Sequence, residues 1–317
     1  MTGSEGTQQV LERLGGWGRS RPDVRAVVVV GSWARPVDHP VDQWSDVDIL
    51  LITTDPGCYL CTTDWLKDVG HPWLTYVETP PLGGPEQRER RVVFEVAVEV
   101  DFAVVASRDM RLAAYILAAL RRFPLAVRAL PGRIVDGLGA ATEVLWRGMR
   151  ILVDKDGTAA RLQRLIHRPP PRHPPSENDF LALVQRFWHG PIWIAKHLRR
   201  GELWRVKTLA EAPGHLSLLQ MLEWHACARN GWDYDTWDRG RFLEEWADPR
   251  AVVALREVFG RYDADDTWRA LFASMVLFRW VATETANSLG YRYPVEVDQH
   301  VTDWVTGFRS ESAGSAA

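Results

Sequence analysis

The feature that most constrains this chain is a pair of apolar strands joined through Gly-Ser and Asp-x-Asp. The β-branched run Val24 to Val30 reads as a buried strand and stops at Gly31-Ser32. After Trp33-Ala34-Arg35 and a short spacer, Ser45-Asp46-Val47-Asp48-Ile49-Leu50-Leu51 opens a second strand that runs to Thr53. Residues two apart on a strand project from one face, so Asp46 and Asp48 present their carboxylates together. Two hard anionic oxygens side by side suit Mg²⁺ when the ion also binds substrate phosphates. Gly31 lets backbone approach a phosphate closely. Ser32 adds a hydroxyl and an N–H, and a turn of this kind can feed a helix N-terminus, which favours anions.

A third carboxylate is available further along. Arg90 to Val105 suggests one or two more strands, and its last part alternates with period two from Val96 onward. Ala97, Glu99, Asp101 and Ala103 then share one face, while Val96, Val98, Val100 and Phe102 share the other. An acid inside so apolar a run is costly unless it is paired or ligates a metal. Either Glu99 or Asp101 is placed to join Asp46 and Asp48.

The first half therefore reads as mixed α and β. A short helix over Thr7 to Gly18 precedes the strands, and helical periodicity returns at Met110–Phe123 and Ala140–Leu152. Five prolines in the seven positions 169–175 then force an extended spacer. Beyond it, apolar residues recur at helical spacing over 179–199, 213–229, 240–260 and 265–289, with Asn178-Asp179 able to cap the first segment. Pro191 predicts a kink or break in that segment, and the tail after Phe308 is expected to fray. The fold class expected is α+β: a mixed β-sheet with flanking helices, then an all-α helical bundle.

Composition excludes several classes. With 38 basic and 41 acidic residues the net charge is −3, so nothing marks a nucleic-acid binder held by a basic surface. No apolar run approaches the roughly 20 residues of a membrane helix. The start, Met1-Thr-Gly-Ser-Glu-Gly-Thr, is neither basic nor apolar, so a cytoplasmic location is expected. Cys58-Tyr-Leu-Cys61 lacks a second pair, and with Cys227 it reads as plain thiols. His189, His197 and His225 match no standard zinc spacing. The 16 tryptophans mostly serve a core, with Trp188, Trp193 and Trp224 as candidates to wall a ligand. No Rossmann or Walker loop appears.

The Gly-Ser/Asp-x-Asp core with a distal acid resembles the DNA polymerase β-like nucleotidyltransferases over Val24 to Val105. More narrowly, the chain resembles the aminoglycoside 6-adenylyltransferase (streptomycin adenylyltransferase) family. That resemblance rests on Val153-Asp-Lys-Asp-Gly157, Ala195-Lys196, Met221-Leu-Glu-Trp224, Trp268-Arg-Ala-Leu-Phe272, Leu277-Phe278-Arg279 and Tyr293-Pro-Val-Glu-Val-Asp-Gln299, in that order. It implies a nucleotidyltransferase catalytic domain over 1–167, a Pro-rich linker over 168–178 and an α-helical substrate-binding domain over 179–317. It also implies roles. Asp46 and Asp48 are the metal pair, and Asp101 is the third carboxylate, as ligand or base. Gly31 and Ser32 are the triphosphate turn, assisted by Arg35. Lys196, and more weakly Lys155, contact nucleotide phosphates. The stretch Val184-Gln-Arg186-Phe-Trp188 departs from the family by lacking an acid.

The reaction so implied is transfer of AMP from ATP to a hydroxyl of an aminoglycoside such as streptomycin, with two Mg²⁺ ions and release of pyrophosphate. A polycationic acceptor calls for carboxylates, for which Asp179, Glu223, Glu284 and Asp298 are candidates, together with Glu99 at the rim. Two readings compete. One is a nucleotidyltransferase for another small-molecule, protein or RNA hydroxyl. The other is a binder of nucleotide or aminoglycoside without turnover.

Overall fold

The computed structural model describes residues 3–35, 41–42, 44–79, 88–167 and 172–314. The chain divides into two compact units, Met1–Pro170 and Pro171–Ala317.

The first unit is built on one mixed sheet of six strands. They are β1 (Val24–Val30), β2 (Val47–Thr53), β3 (Pro72–Glu78), β4 (Glu89–Phe94), β5 (Val98–Ala106) and β6 (Arg150–Asp154), in the order β3-β4-β5-β2-β1-β6. Only β2 and β5 run parallel; the other neighbours are antiparallel. The unit's helices are α1 (Gly3–Ser20), α2 (Pro56–Cys61), α3 (Ser107–Arg122), α4 (Gly132–Leu145) and α5 (Thr158–Leu165). The run Val24–Val30 is apolar almost throughout because β1 is covered on both faces. Val27 and Val29 pack with Val10, Leu11, Leu14 and Trp17 of α1. Ala26, Val28 and Val30 pack on the other face with Ala114, Leu145 and Leu162.

Two elements differ from the sequence reading, and a third takes one of the forms expected. The helix expected over Ala140–Leu152 stops at Leu145, and Arg150–Asp154 is instead the edge strand β6. Gly148 forces this: its φ is +147°, and a β-carbon there would sit 2.2 Å from the Ala34 carbonyl oxygen. The strand Pro72–Glu78 has no counterpart in the sequence reading; it lies at the sheet edge with Trp73, Leu74 and Tyr76 exposed, so it lacks the alternation of a half-buried strand. The stretch Arg90–Val105 forms two strands, parted by a turn in which Val96 and Ala97 take left-handed φ of 64° and 56°.

The second unit is helical, as expected. It comprises α6 (Glu177–Arg199), α7 (Leu203–Val206), α8 (Ala212–Asn230), α9 (Leu243–Trp246), α10 (Pro249–Val258), α11 (Ala264–Leu289) and α12 (Val295–Gly314). Residues 168–171 of the expected linker lie outside the described residues. α6 starts at Glu177 on a capping box: the Ser176 hydroxyl accepts from the Asp179 N–H, and the Asp179 carboxylate accepts from Ser176. Ser176, not Asn178, is thus the cap. α6 also runs unbroken through Pro191. Gly190 offers the proline ring no β-carbon to strike, and the flanking turns are held by buried Phe187, Trp188, Ile194 and Ala195. The segment 240–260 splits into α9 and α10 at Ala247-Asp248, where Asp248 caps a helix opened by Pro249. The tail stays helical to Gly314 rather than fraying after Phe308.

Candidate active site

Strand register assembles the carboxylates. Val30, the residue before Gly31, pairs with Asp48 in the β1–β2 ladder. Asp48 in turn pairs with Asp101 in the parallel β2–β5 ladder. The sheet therefore carries the end of β1, Asp48 and Asp101 in one row, and Asp46 sits two residues before Asp48. Among the described residues these three aspartates form a group whose ligating oxygens lie within 4.8 Å of one another. Along this face of β2, burial falls from Ile52 and Leu50, at 1% and 8% exposure, to a half-buried Asp48. The cluster thus sits where the apolar packing gives out.

The turn after β1 is fitted to the cluster. Gly31 has φ +65°, and a β-carbon on it would lie 2.1 Å from Asp48 Oδ2. The Ser32 hydroxyl donates to the Asp46 carbonyl at 3.4 Å, and Trp33 Nε1 donates to the Ser45 carbonyl at 3.3 Å. These bonds lash the Gly-Ser turn to the segment that bears Asp46. Gly31–Ala34 is a single 3-10 turn, and Arg35 after it is extended. Among the described residues no long helix starts there, so the anion contacts these residues offer come from the turn's own N–H groups rather than from a helix macrodipole.

Burial pushes the Asp101 carboxyl up to about 6, opposed by Arg91 and reinforced by Asp46, Glu89 and Glu99. Crowded carboxylates of this kind disfavour ionisation until a cation joins them. Oxygen-only donors at this spacing fit a hard divalent ion such as Mg²⁺. Glu99 shares the face of Asp101 but is exposed beside the cluster. Sequence reasoning misses Arg91, whose partner is fixed only by strand register. It pairs with Asp101 across β4–β5, its Nη1 lying 2.7 Å from Asp101 Oδ2.

The remaining candidates each have their own surroundings within their own unit. Lys155 is exposed in the turn after β6, where its Nζ donates to the Arg21 carbonyl at 2.5 Å and its N–H to the Arg25 carbonyl. That is the start of β1, about 17 Å along the strand from Val30 at ~3.3 Å per residue. In the helical unit, Lys196 is exposed on α6 with Nζ 5.7 Å from the Trp304 ring centre. Trp188 is buried, and its Nε1 donates to Tyr293 Oη at 3.0 Å. It belongs to the core of the helical unit. Tyr293 donates to Asp298, which also takes a two-point contact from Arg279. Asp179 belongs to the capping box, and Glu284 accepts from Trp280 and pairs with buried His225. Glu223 accepts from Gln220 at 3.0 Å; burial pushes its carboxyl up to about 7, with Arg172 opposing and Asp238 adding to the rise.

The sequence matches the streptomycin adenylyltransferase family over residues 5–308. The chain belongs to that family. It is accordingly an enzyme of the nucleotidyltransferase class, and the Gly31-Ser32 turn and the aspartate row are the family member's candidate active site. It is 25% identical over 291 residues to the aminoglycoside 6-adenylyltransferase of Bacillus subtilis strain 168, covering 90% of this chain and 91% of the relative. It is 22% identical over 288 residues to the aminoglycoside 6-adenylyltransferase of Campylobacter jejuni, covering 89% and 88%. A crystal structure of an aminoglycoside 6-adenyltransferase from Bacillus subtilis aligns over 95% of this chain and 97% of that one, at 17% identity and a TM-score of 0.42.

Proposed function

We propose that the chain transfers AMP from ATP to a hydroxyl of an aminoglycoside such as streptomycin, releasing pyrophosphate. The observation that carries this reading is the convergence of Asp46, Asp48 and Asp101 beside the Gly31-Ser32 turn. Asp46, Asp48 and Asp101 would hold Mg²⁺. A cation bound there supplies charge neutralisation at the triphosphate and polarises the α-phosphate. The bare backbone of Gly31 admits the triphosphate, with the Ser32 N–H and Arg35 beside it. Asp101 accepts the proton of the attacking hydroxyl. The acceptor oxygen bonds to the α-phosphorus as the bond to pyrophosphate breaks. Phosphoryl chemistry needs mainly this positioning and neutralisation.

In the helical unit, Glu223 is the carboxylate we assign to the cationic acceptor, since it is bonded to the neutral Gln220, whereas Arg279 already occupies Asp298. Lys196 is assigned to the nucleotide phosphates on the family resemblance. Lys155 is set aside because it lies at the far end of β1. A net charge of −3 suits a cationic acceptor better than RNA. We assign a cytoplasmic location. Among the described residues no helix is long and apolar enough to cross a membrane.

Pyrophosphate release from ATP with Mg²⁺, measured with and without streptomycin in the wild type and D48N, tests the reading. Streptomycin-dependent release that D48N loses is the expected result. Release stimulated by another hydroxyl compound, but not by streptomycin, would keep the chemistry and replace the acceptor. ATP binding with no release under any acceptor would leave a binder.

A further inference from the structure

Arg91 stands next in the row that contains the aspartates. Across the sheet the register runs Asp48, Asp101, Arg91, Tyr76. Arg91 Nη1 lies 2.7 Å from Asp101 Oδ2, and its Nε lies 2.5 Å from Glu78 Oε1 on the edge strand β3. One guanidinium therefore spans two carboxylates on two strands. Its planar fork can satisfy both at once, which a lysine ammonium on a single flexible stem does less well. Asp101 is mostly buried, with 13% of its side chain exposed, whereas Arg91 and Glu78 are each at 34%. The charge pattern thus runs acid, acid, base, acid from the centre of the sheet to its edge.

We propose that Arg91 is a positioning residue for the transfer reaction, anchored by Glu78 and holding Asp101 Oδ2 so that the remaining oxygen faces Asp48 and the acceptor. This rests on the role given to Asp101 above. Two effects follow, and they have opposite signs. As a fixed positive charge beside the cluster, Arg91 weakens cation binding by repulsion. As a clamp on the Asp101 carboxylate, it speeds transfer. A residue that merely stabilised the sheet would not tighten cation binding when removed.

The test combines calorimetric titration with Mn²⁺ in the absence of nucleotide and steady-state pyrophosphate release. For R91M, Mn²⁺ affinity should rise about tenfold, because a unit charge a few ångströms from the cluster is removed. Its kcat should fall about 10²-fold with the KM for ATP unchanged, the size of a small misplacement at the reacting atoms. R91K keeps the charge but not the fork, so its Mn²⁺ affinity should match wild type while kcat falls about tenfold. E78Q frees the far side of the guanidinium and removes a negative charge, so kcat should fall about tenfold while Mn²⁺ affinity does not rise. Wild-type kcat in R91M, or weaker Mn²⁺ binding in R91M together with a lowered melting temperature, would overturn the proposal. D101N separates the two readings. If D101N turns over normally, the role of Asp101 is wrong; if D101N is inactive while R91M matches wild type, only the role of Arg91 is wrong.

Discussion

Gly31 and Asp48 compete for one small volume: a β-carbon on Gly31 would lie 2.1 Å from Asp48 Oδ2. The turn can pass close to the carboxylate only because residue 31 has no side chain. Gly31→Ala should therefore push the Asp48 carboxylate aside and strain a backbone held at φ +65°. The expected loss in kcat/KM is about 10²-fold, with a melting temperature lower by only a few degrees. Steady-state kinetics beside a thermal melt decides it, and full activity in G31A would mean that the position of Asp48 is not critical.

Lys155 supplies a contrasting expectation. It bonds to the Arg21 carbonyl near the start of β1, whereas the aspartates gather at the end of that strand. Lys155→Met should leave kcat and the KM for ATP unchanged. A raised KM for ATP in K155M would bring that turn back into the nucleotide site.

Glu223 gives a pH dependence. Burial raises its folded pKa to about 7 from an ordinary 4.5. Between those values the folded chain holds a proton that the unfolded chain has released, so stability falls as pH rises. The contribution is fully present below pH 4.5 and lost as pH passes through 7. Glu223→Gln keeps an acceptor for Gln220 and removes the charge. It should raise the melting temperature by a few degrees at about pH 8.5 and leave it unchanged at about pH 4.5. Equal shifts at both pH values would count against a buried, reluctantly ionised carboxyl.

Asp298 is bound up in packing rather than exposed to an acceptor. It is 4% exposed and joins Arg279, Tyr293 and, through the latter, Trp188. Asp298→Ala strands the Arg279 charge and should cost about 3 kcal/mol of stability. Activity per folded molecule should persist. A specific rise in the acceptor KM at unchanged stability would reverse that assignment.

Much of the catalytic unit is legible in the order of its residues. Val24–Val30 and the apolar run after Asp48 are strands that periodicity and β-branching announce, and the Asp-x-Asp spacing itself puts two carboxylates on one face. Cross-strand register is not legible in the same way. Nothing in the order of residues says that Asp101, rather than Glu99, pairs with Asp48, or that Arg91 pairs with Asp101. Gly148 looks like a helix residue until the Ala34 carbonyl is seen against it. In the helical unit, Trp188 and Asp298 meet through Tyr293 in a buried polar network, which residue order does not distinguish from the wall of a pocket. Pro191 does not break its helix, because the rule for proline is local, whereas Gly190 and the buried turns around it keep the helix continuous.

The pairing of Asp48 with Asp101 joins residues 53 positions apart, and the parallel ladder closes only after β3 and β4 have been laid down. Such long-range closure is slow, because the entropy of the intervening loop is lost before the contact forms. During synthesis the Gly-Ser turn and the first two aspartates leave the ribosome well before their third partner. A chain arrested ahead of residue 101 would carry the recognisable motif and yet have no place to gather a cation. Competence should therefore appear abruptly as the fifth strand docks.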